Sequence, residues 1–300
     1  MSYWHGQQST ILSATMVFGP DRPAVGRERW LVALVAAGVV TMLVAETVRD
    51  FRPGKLSALV MVLSLGPLVL VHEAGHALAS HIAGWKVCHI VIGRGRPMLR
   101  LRAGGVPVDV HWIPVGGHVL PAPVRLRHPR AESAFIYAAG PGAELLLALS
   151  VALGMGPGRV LQRTTEVPAI VAQSVLVLVA IDLVFNLLPL PATDEHEGAL
   201  TDGLGLLLSP FLPRWHFVQL LTLPWRLRAE QRSLPTERGN IYEDGVRHHP
   251  GNPFMHLLLA DAYEQAGRIY DARSHRLHAL QSPELPRHWV DRLRDRVGAG

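Results

Sequence analysis

Two histidines four residues apart, with a glutamate beside the first, form the H-E-x-x-H motif His72-Glu73-Ala74-Gly75-His76. On a helix, positions i and i+4 share a face, so both imidazoles can reach one Zn²⁺. Glu73 is then placed to act as base toward water activated by that metal. The residues leading into the motif, Leu56 to Val71, are almost wholly apolar. Ionisable groups at membrane depth are costly and usually functional, and a metal that takes neutral imidazole nitrogens offsets the cost. Catalytic zinc commonly keeps three protein ligands and leaves a fourth position for water. The third ligand must come from elsewhere, and an Asp or Glu near the end of a span is the place to look. Asn186-Leu187-Leu188-Pro189-Leu190-Pro191 closes the last long apolar run, with Asp194 and then Thr201-Asp202-Gly203 behind it.

The elements that must position these groups are hydrophobic helices. Hydrophobic residues make up 49% of the 300 and concentrate in four stretches, 30–48, 56–83, 134–154 and 167–190. A helix of about 20 residues rises roughly 30 Å, enough to cross the hydrocarbon core. The chain therefore reads as an α-helical polytopic membrane protein of about four transmembrane helices. The first run starts late and ends at Glu46-Thr47 without a small-residue cleavage pattern, so it reads as a retained anchor and not a signal peptide. Cys88 is the sole cysteine, which excludes an intrachain disulfide and a Cys-based zinc site.

The net charge of +5 would suit nucleic acid, but its placement points to topology instead. Between Trp85 and Ala131 lie Lys86, Arg94, Arg96, Arg100, Arg102, Arg125, Arg127 and Arg130 against one acid, Asp109. The positive-inside tendency puts the N-terminus, this long basic loop and the C-terminal region in the cytoplasm. His72 and His76 fall late in a span running toward that side.

Residues 1–29 form a polar tail, 30–226 a membrane-embedded domain and 227–300 a soluble helical region. Inside the basic loop, Val87–Ile92, Met98–Arg102 and Val108–Ile113 are strand candidates, with turn chemistry at Gly93-Arg94-Gly95 and Ala103-Gly104-Gly105. They predict a small β segment on the membrane surface. The stretch 204–225 is apolar but broken by Pro210, Pro213 and Pro224, so it is expected to lie at the interface or re-enter. Near 250–283, Leu259, Ala260, Tyr263, Gly267, Ala272 and Ala279 have the spacing of a tetratricopeptide-like helical hairpin, with His256 at the usual tryptophan position. One such hairpin suits a docking module for a protein partner.

From 56 to 208 the chain resembles the site-2-protease family of intramembrane zinc metalloproteases. His72-Glu73-Ala74-Gly75-His76 resembles the family's zinc helix. Ile92-Gly93-Arg94-Gly95 and Pro114-Val115-Gly116-Gly117-His118-Val119 resemble its surface β segment and the glycine-rich turn that closes it. Ala139-Gly140-Pro141-Gly142-Ala143 resembles the turn opening the next span, and Asn186-Leu187-Leu188-Pro189 the element leading to an Asp-Gly ligand. The resemblance implies one Zn²⁺ per chain, held by His72, His76 and an aspartate, with Glu73 as base. Asn186, Gly116 and Gly117 are implied in positioning substrate.

Two departures stand out. Asp194 has the family's distance from Asn186 but is followed by Glu195-His196; Asp202 has the glycine and the apolar helix start but sits eight residues farther on. A loop absorbs an insertion more easily than a helix start changes its chemistry, which favours Asp202 over the alternative Asp194. Glu144 stands where the family more often has Asn, and Asp182 is expected to pair between helices. The implied activity is hydrolysis of a peptide bond in or near the transmembrane segment of a membrane-anchored substrate. Such a segment must unwind, and an edge of the β segment is a surface that could receive it. The alternative is a catalytically silent membrane scaffold binding partners through its C-terminal helices. No nucleic-acid partner is expected, and the oligomeric state stays open.

Overall fold

The structure is a computed structural model that describes residues 26–49, 51–189 and 201–298. Most of the polar tail and the segment containing Asp194 lie outside these residues. In chain order the elements are α1 (Gly26–Arg49), α2 (Leu56–Ile82), β1 (Trp85–Ala103), β2 (Val106–Pro123), α3 (Pro129–Met155) and α4 (Val167–Leu187). Short helices α5 (Asp202–Leu208), α6 (Arg214–Leu220) and α7 (Leu223–Glu230) follow. The chain ends in α8 (Pro235–His248), α9 (Pro253–Gln265), α10 (Ile269–Leu280) and α11 (Arg287–Gly298).

Among the described residues, three helical segments are long and apolar enough to cross a membrane: Pro53–Ile82, Pro129–Met155 and Val167–Leu187, of 30, 27 and 21 residues. Their outward-facing side chains are large and apolar, among them Leu63, Leu70, Leu146, Leu149, Val177 and Phe185. Exposed apolar surface on this scale is what a helix bundle presents to lipid. The three helices pack on one another through Leu68, Leu178 and Val179, with Leu65, Leu147 and Val175 around them.

The chain divides into two units. The first comprises residues 1–79, 89–119 and 132–210; the second comprises 80–88, 120–131 and 211–300. In the first unit, the sheet consists of β1 paired with β2 and nothing else among the described residues. The three expected strands are thus two long ones. The turn is at Gly104 and Gly105, whose φ values of +57° and +84° suit a two-residue hairpin loop. Gly93 and Gly95 also have positive φ, +83° and +87°, but they stay inside β1. A Cβ at Gly93 would come within 2.5 Å of the Ile113 carbonyl, so this glycine permits close approach of the paired backbone and not a reversal. The hairpin meets α2 through Val69, Ile92 and Val108.

Pro210, closing the first unit, and Pro213 and Pro224, in the second, break the apolar stretch into short helices and leave no spanning helix there. Asn252 caps α9 by accepting from the Phe254 and Met255 amides, while its Nδ2 donates to the Val218 carbonyl at 2.8 Å. Trp225, Tyr242, Met255, Leu259, Tyr263 and Ala272 build the core between α7, α8, α9 and α10. The residues that suggested a helical hairpin are buried between α9 and α10, and Gly267, with φ +78°, turns the chain between them. His256 Nε2 lies 2.8 Å from the Pro250 carbonyl and must donate to it. Its Nδ1 therefore accepts, at 2.9 Å, from His275 Nδ1–H.

Burial pushes both imidazoles below the ordinary histidine range, with His278 adding to the effect in each case. Protonating His256 puts a proton on both facing nitrogens and breaks the bond to His275. Because the folded values lie below the unfolded one of about 6.5, this contribution is complete above that pH and is lost as pH falls. Amide exchange in α9 and α10 of the intact protein, corrected for intrinsic rates, is expected to quicken between about pH 7.5 and 5.5. The difference shrinks in His275→Ala; equal protection at both pH values in the wild type contradicts this account.

Candidate metal centre

Three elements converge on one point in the first unit. His72 and His76 project from successive turns of α2, and their Nε2 atoms lie 3.0 Å apart. Asp202, the first residue of α5, sets Oδ2 at 2.8 Å from His72 Nε2 and Oδ1 at 3.2 Å from His76 Nε2. Each imidazole is fixed from its far side. His76 Nδ1 lies 2.7 Å from the Ile136 carbonyl, and His72 Nδ1 lies 2.8 Å from Glu144 Oε1. A carbonyl only accepts, so His76 carries its proton on Nδ1 and turns the Nε2 lone pair inward. A carboxylate at Glu144 imposes the same tautomer on His72.

The centre thus gathers two imidazole lone pairs and a carboxylate with no proton of their own to place between them. A cation is what such a cluster fits, and two imidazoles with one carboxylate are a donor set suited to Zn²⁺ with a position left open. Space is kept for it. A Cβ at Gly140 would strike His76 Nε2 and come within 2.7 Å of His72 Nε2. At Gly75 a Cβ would strike the Ala139 carbonyl and come within 2.9 Å of the Ala143 side chain. The two glycines let α2 and α3 meet closely enough for both histidines to bond α3.

Asp202 is positioned by its neighbours. Thr201 caps α5, accepting from the Leu204 amide and donating to the Leu188 carbonyl at 2.7 Å. A Cβ at Gly203 would collide with the Leu187 carbonyl, and one at Gly205 with the Tyr137 ring. The Asp-Gly pair therefore lets α5 start hard against the end of α4. Ser133 and Ser209 hold its other end through hydroxyls 3.0 Å apart.

Glu73 is buried, 3% exposed, and its Oε2 has no hydrogen-bond partner among the described residues. Its Oε1 faces the hairpin: a Cβ at Gly117 would come within 2.6 Å of that oxygen and of the Val91 carbonyl. Gly116, with φ +67°, lies beside the Arg94 guanidinium. Of the sequence-predicted residues, then, His72, His76, Asp202, Glu73 and Gly117 share one locality. Asn186 does not reach the three donors directly; its Nδ2 donates to Asp182 Oδ2 at 2.6 Å. Asp194 lies outside the described residues. The sequence did not announce the Ile136 carbonyl, nor that Ile136, Gly140 and Glu144, spaced by four, form the face of α3 turned to the histidines.

Helices long and apolar enough to cross a membrane, with a buried His₂Asp cluster and an adjacent glutamate, form a scaffold able to hold a metal ion. Residues 60–171 match the family model for peptidase family M50, the site-2-protease family. Over 57 residues, 19% of this chain, the sequence is 42% identical to a protein of Chlamydia trachomatis provisionally named a zinc metalloprotease. Over 112 residues, 33% of this chain, it is 30% identical to one so named from Synechocystis. The matches span 9% and 31% of those relatives' own lengths. Asp202 and Asn186 lie beyond the segment matched to the family.

The packing gives a direct test. Gly140→Ala is expected to weaken metal retention by at least roughly tenfold, the scale of losing a ligand's correct orientation. Gly142→Ala, where a Cβ meets nothing within 4 Å, leaves it unchanged. Equal metal content in the two purified variants contradicts the assignment of this space to an ion.

Proposed function

We propose that the chain is an intramembrane zinc metalloprotease that cuts a membrane-anchored protein in or near its transmembrane segment. The convergence of His72, His76 and Asp202, with the buried Glu73 carboxyl beside them, carries the reading. The family match and the relatives' names agree with it. In this reading His72, His76 and Asp202 hold one Zn²⁺. When bound, the ion supplies Lewis acidity, polarising a carbonyl and bringing water's pKa toward roughly 7. Glu73 takes the proton from water at its carboxylate and returns it to the leaving amine nitrogen. The burial of Glu73 and the close fit of Gly117 keep bulk water away from the proton transfer. A scaffold without activity would have no use for a buried carboxyl with an oxygen left unbonded beside such a cluster.

A helical substrate hides its amides, so a stretch must unwind before hydrolysis. The two-stranded hairpin has outer edges that no other described strand covers, and strand addition there would present an extended segment beside Gly116, Gly117 and Glu73. In the same reading α1 is a fourth span, and the charge distribution faces the N-terminus, the basic hairpin and the C-terminal region to the cytoplasm. The α9–α10 hairpin is a tetratricopeptide-like docking surface for a protein partner.

Co-expression with single-span anchored proteins tests the activity. Glu73→Gln is expected to abolish cleavage by about three orders of magnitude or more while zinc content stays, since a base, not a ligand, is lost. Asp202→Ala loses both, and Asp194→Ala neither. Cleavage that survives in Glu73→Gln would falsify the proposal. Proline at His118 and at Val119, which sample amides pointing to opposite edges, is expected to slow cleavage of helical substrates roughly tenfold at one of the two positions. Wild-type rates at both would remove the hairpin from substrate presentation.

A further inference from the structure

We infer that Glu144 is a positioning residue for the metal centre, orienting His72 from α3. The inference rests on the zinc reading above and adds a residue to it. Glu144 has no solvent exposure at all, yet it lies in the middle of an apolar span. A carboxyl there is costly unless a partner uses it. The partner is His72, whose Nδ1 lies 2.8 Å from Glu144 Oε1. The second oxygen, Oε2, makes no protein hydrogen bond, but a carboxylate oxygen of Asp182 lies within 4.8 Å of the Glu144–His72 pair. Asp182 is itself held by Asn186 Nδ2 at 2.6 Å, one turn farther along α4.

The chemistry of the acceptor matters. An amide at this position presents either its oxygen or its NH₂ group, so it can leave His72 in either tautomer. An ionised carboxyl only accepts, which keeps the proton on Nδ1 and the Nε2 lone pair toward the ion. It also fixes the ring's rotation and raises its basicity as a ligand. His76 needs no such residue, because a main-chain carbonyl does the same for it. The two histidines are therefore oriented from one helix by different means. Only the His72 side can be altered by a side-chain substitution.

The test uses the full-length protein in detergent, with zinc affinity read by chelator competition and ligand geometry by the visible spectrum of the Co²⁺-loaded protein. Glu144→Ala is expected to hold zinc about 10- to 100-fold more weakly and to shift the Co²⁺ bands. Glu144→Gln, which keeps an acceptor oxygen, falls between it and the wild type. Leu149→Ala, on the exposed side of α3, matches the wild type. Wild-type affinity and spectrum in folded Glu144→Ala overturn the inference and leave the zinc reading standing. Should Glu144→Ala fail to fold, Glu144→Gln decides in its place: weaker zinc and shifted bands support the inference, and wild-type values overturn it. A wild-type protein that binds neither metal removes the zinc reading and this inference together.

Discussion

Two imidazole lone pairs and a carboxylate are turned toward one another inside a bundle of apolar helices, and the rest of the first unit follows from keeping them there. Left alone, such a cluster would rotate its rings toward protons or toward water. Each member is prevented by a bond on its far side: Ile136 holds His76, Glu144 holds His72, and the Thr201 cap fixes the start of the helix that carries Asp202. These bonds require α2 and α3 to approach more closely than bulky side chains allow, and Gly75 and Gly140 are the positions where the approach is made. In lipid no hydrophobic force drives helices together, so small residues and interhelical hydrogen bonds are the terms that remain.

The hairpin belongs to the same construction, not to a separate surface module. It reaches α2 through Val69, Ile92 and Val108, and its glycine pair brings backbone within touching distance of Glu73. One consequence is electrostatic. A carboxyl buried this deeply, with backbone close at Gly117, feels the histidines and any ion more strongly than it would in water. Another is geometric: an extended peptide laid along the hairpin edge would run past Glu73, the proposed proton acceptor.

What could be read from the sequence was local. The H-E-x-x-H spacing fixes a helix face without knowledge of anything distant, and the apolar runs announce their helices by length. Asp202 was legible through the glycine after it, and Gly203 proves to be the residue that a side chain would jam against Leu187. The hairpin was divided wrongly because a buried glycine in a strand and a glycine in a turn look alike in one dimension; Gly93 is the former and Gly104 the latter. Ile136 could not be found by any pattern, since its contribution is a carbonyl that every residue possesses. Glu144 and Asp182 were visible as acids in apolar runs, but the spacing did not say that Glu144 meets His72 on another helix while Asp182 accepts from Asn186 on its own.

Asn186 illustrates how a neighbouring bond narrows a role. The resemblance assigns it to substrate, and the structure engages one of its two Nδ2 protons with Asp182. The second proton and Oδ1 stay available, so a substrate carbonyl could be bound only without turning the amide over. Flipping it would aim Oδ1 at the Asp182 carboxyl, oxygen against oxygen, and lose the bond between the two side chains.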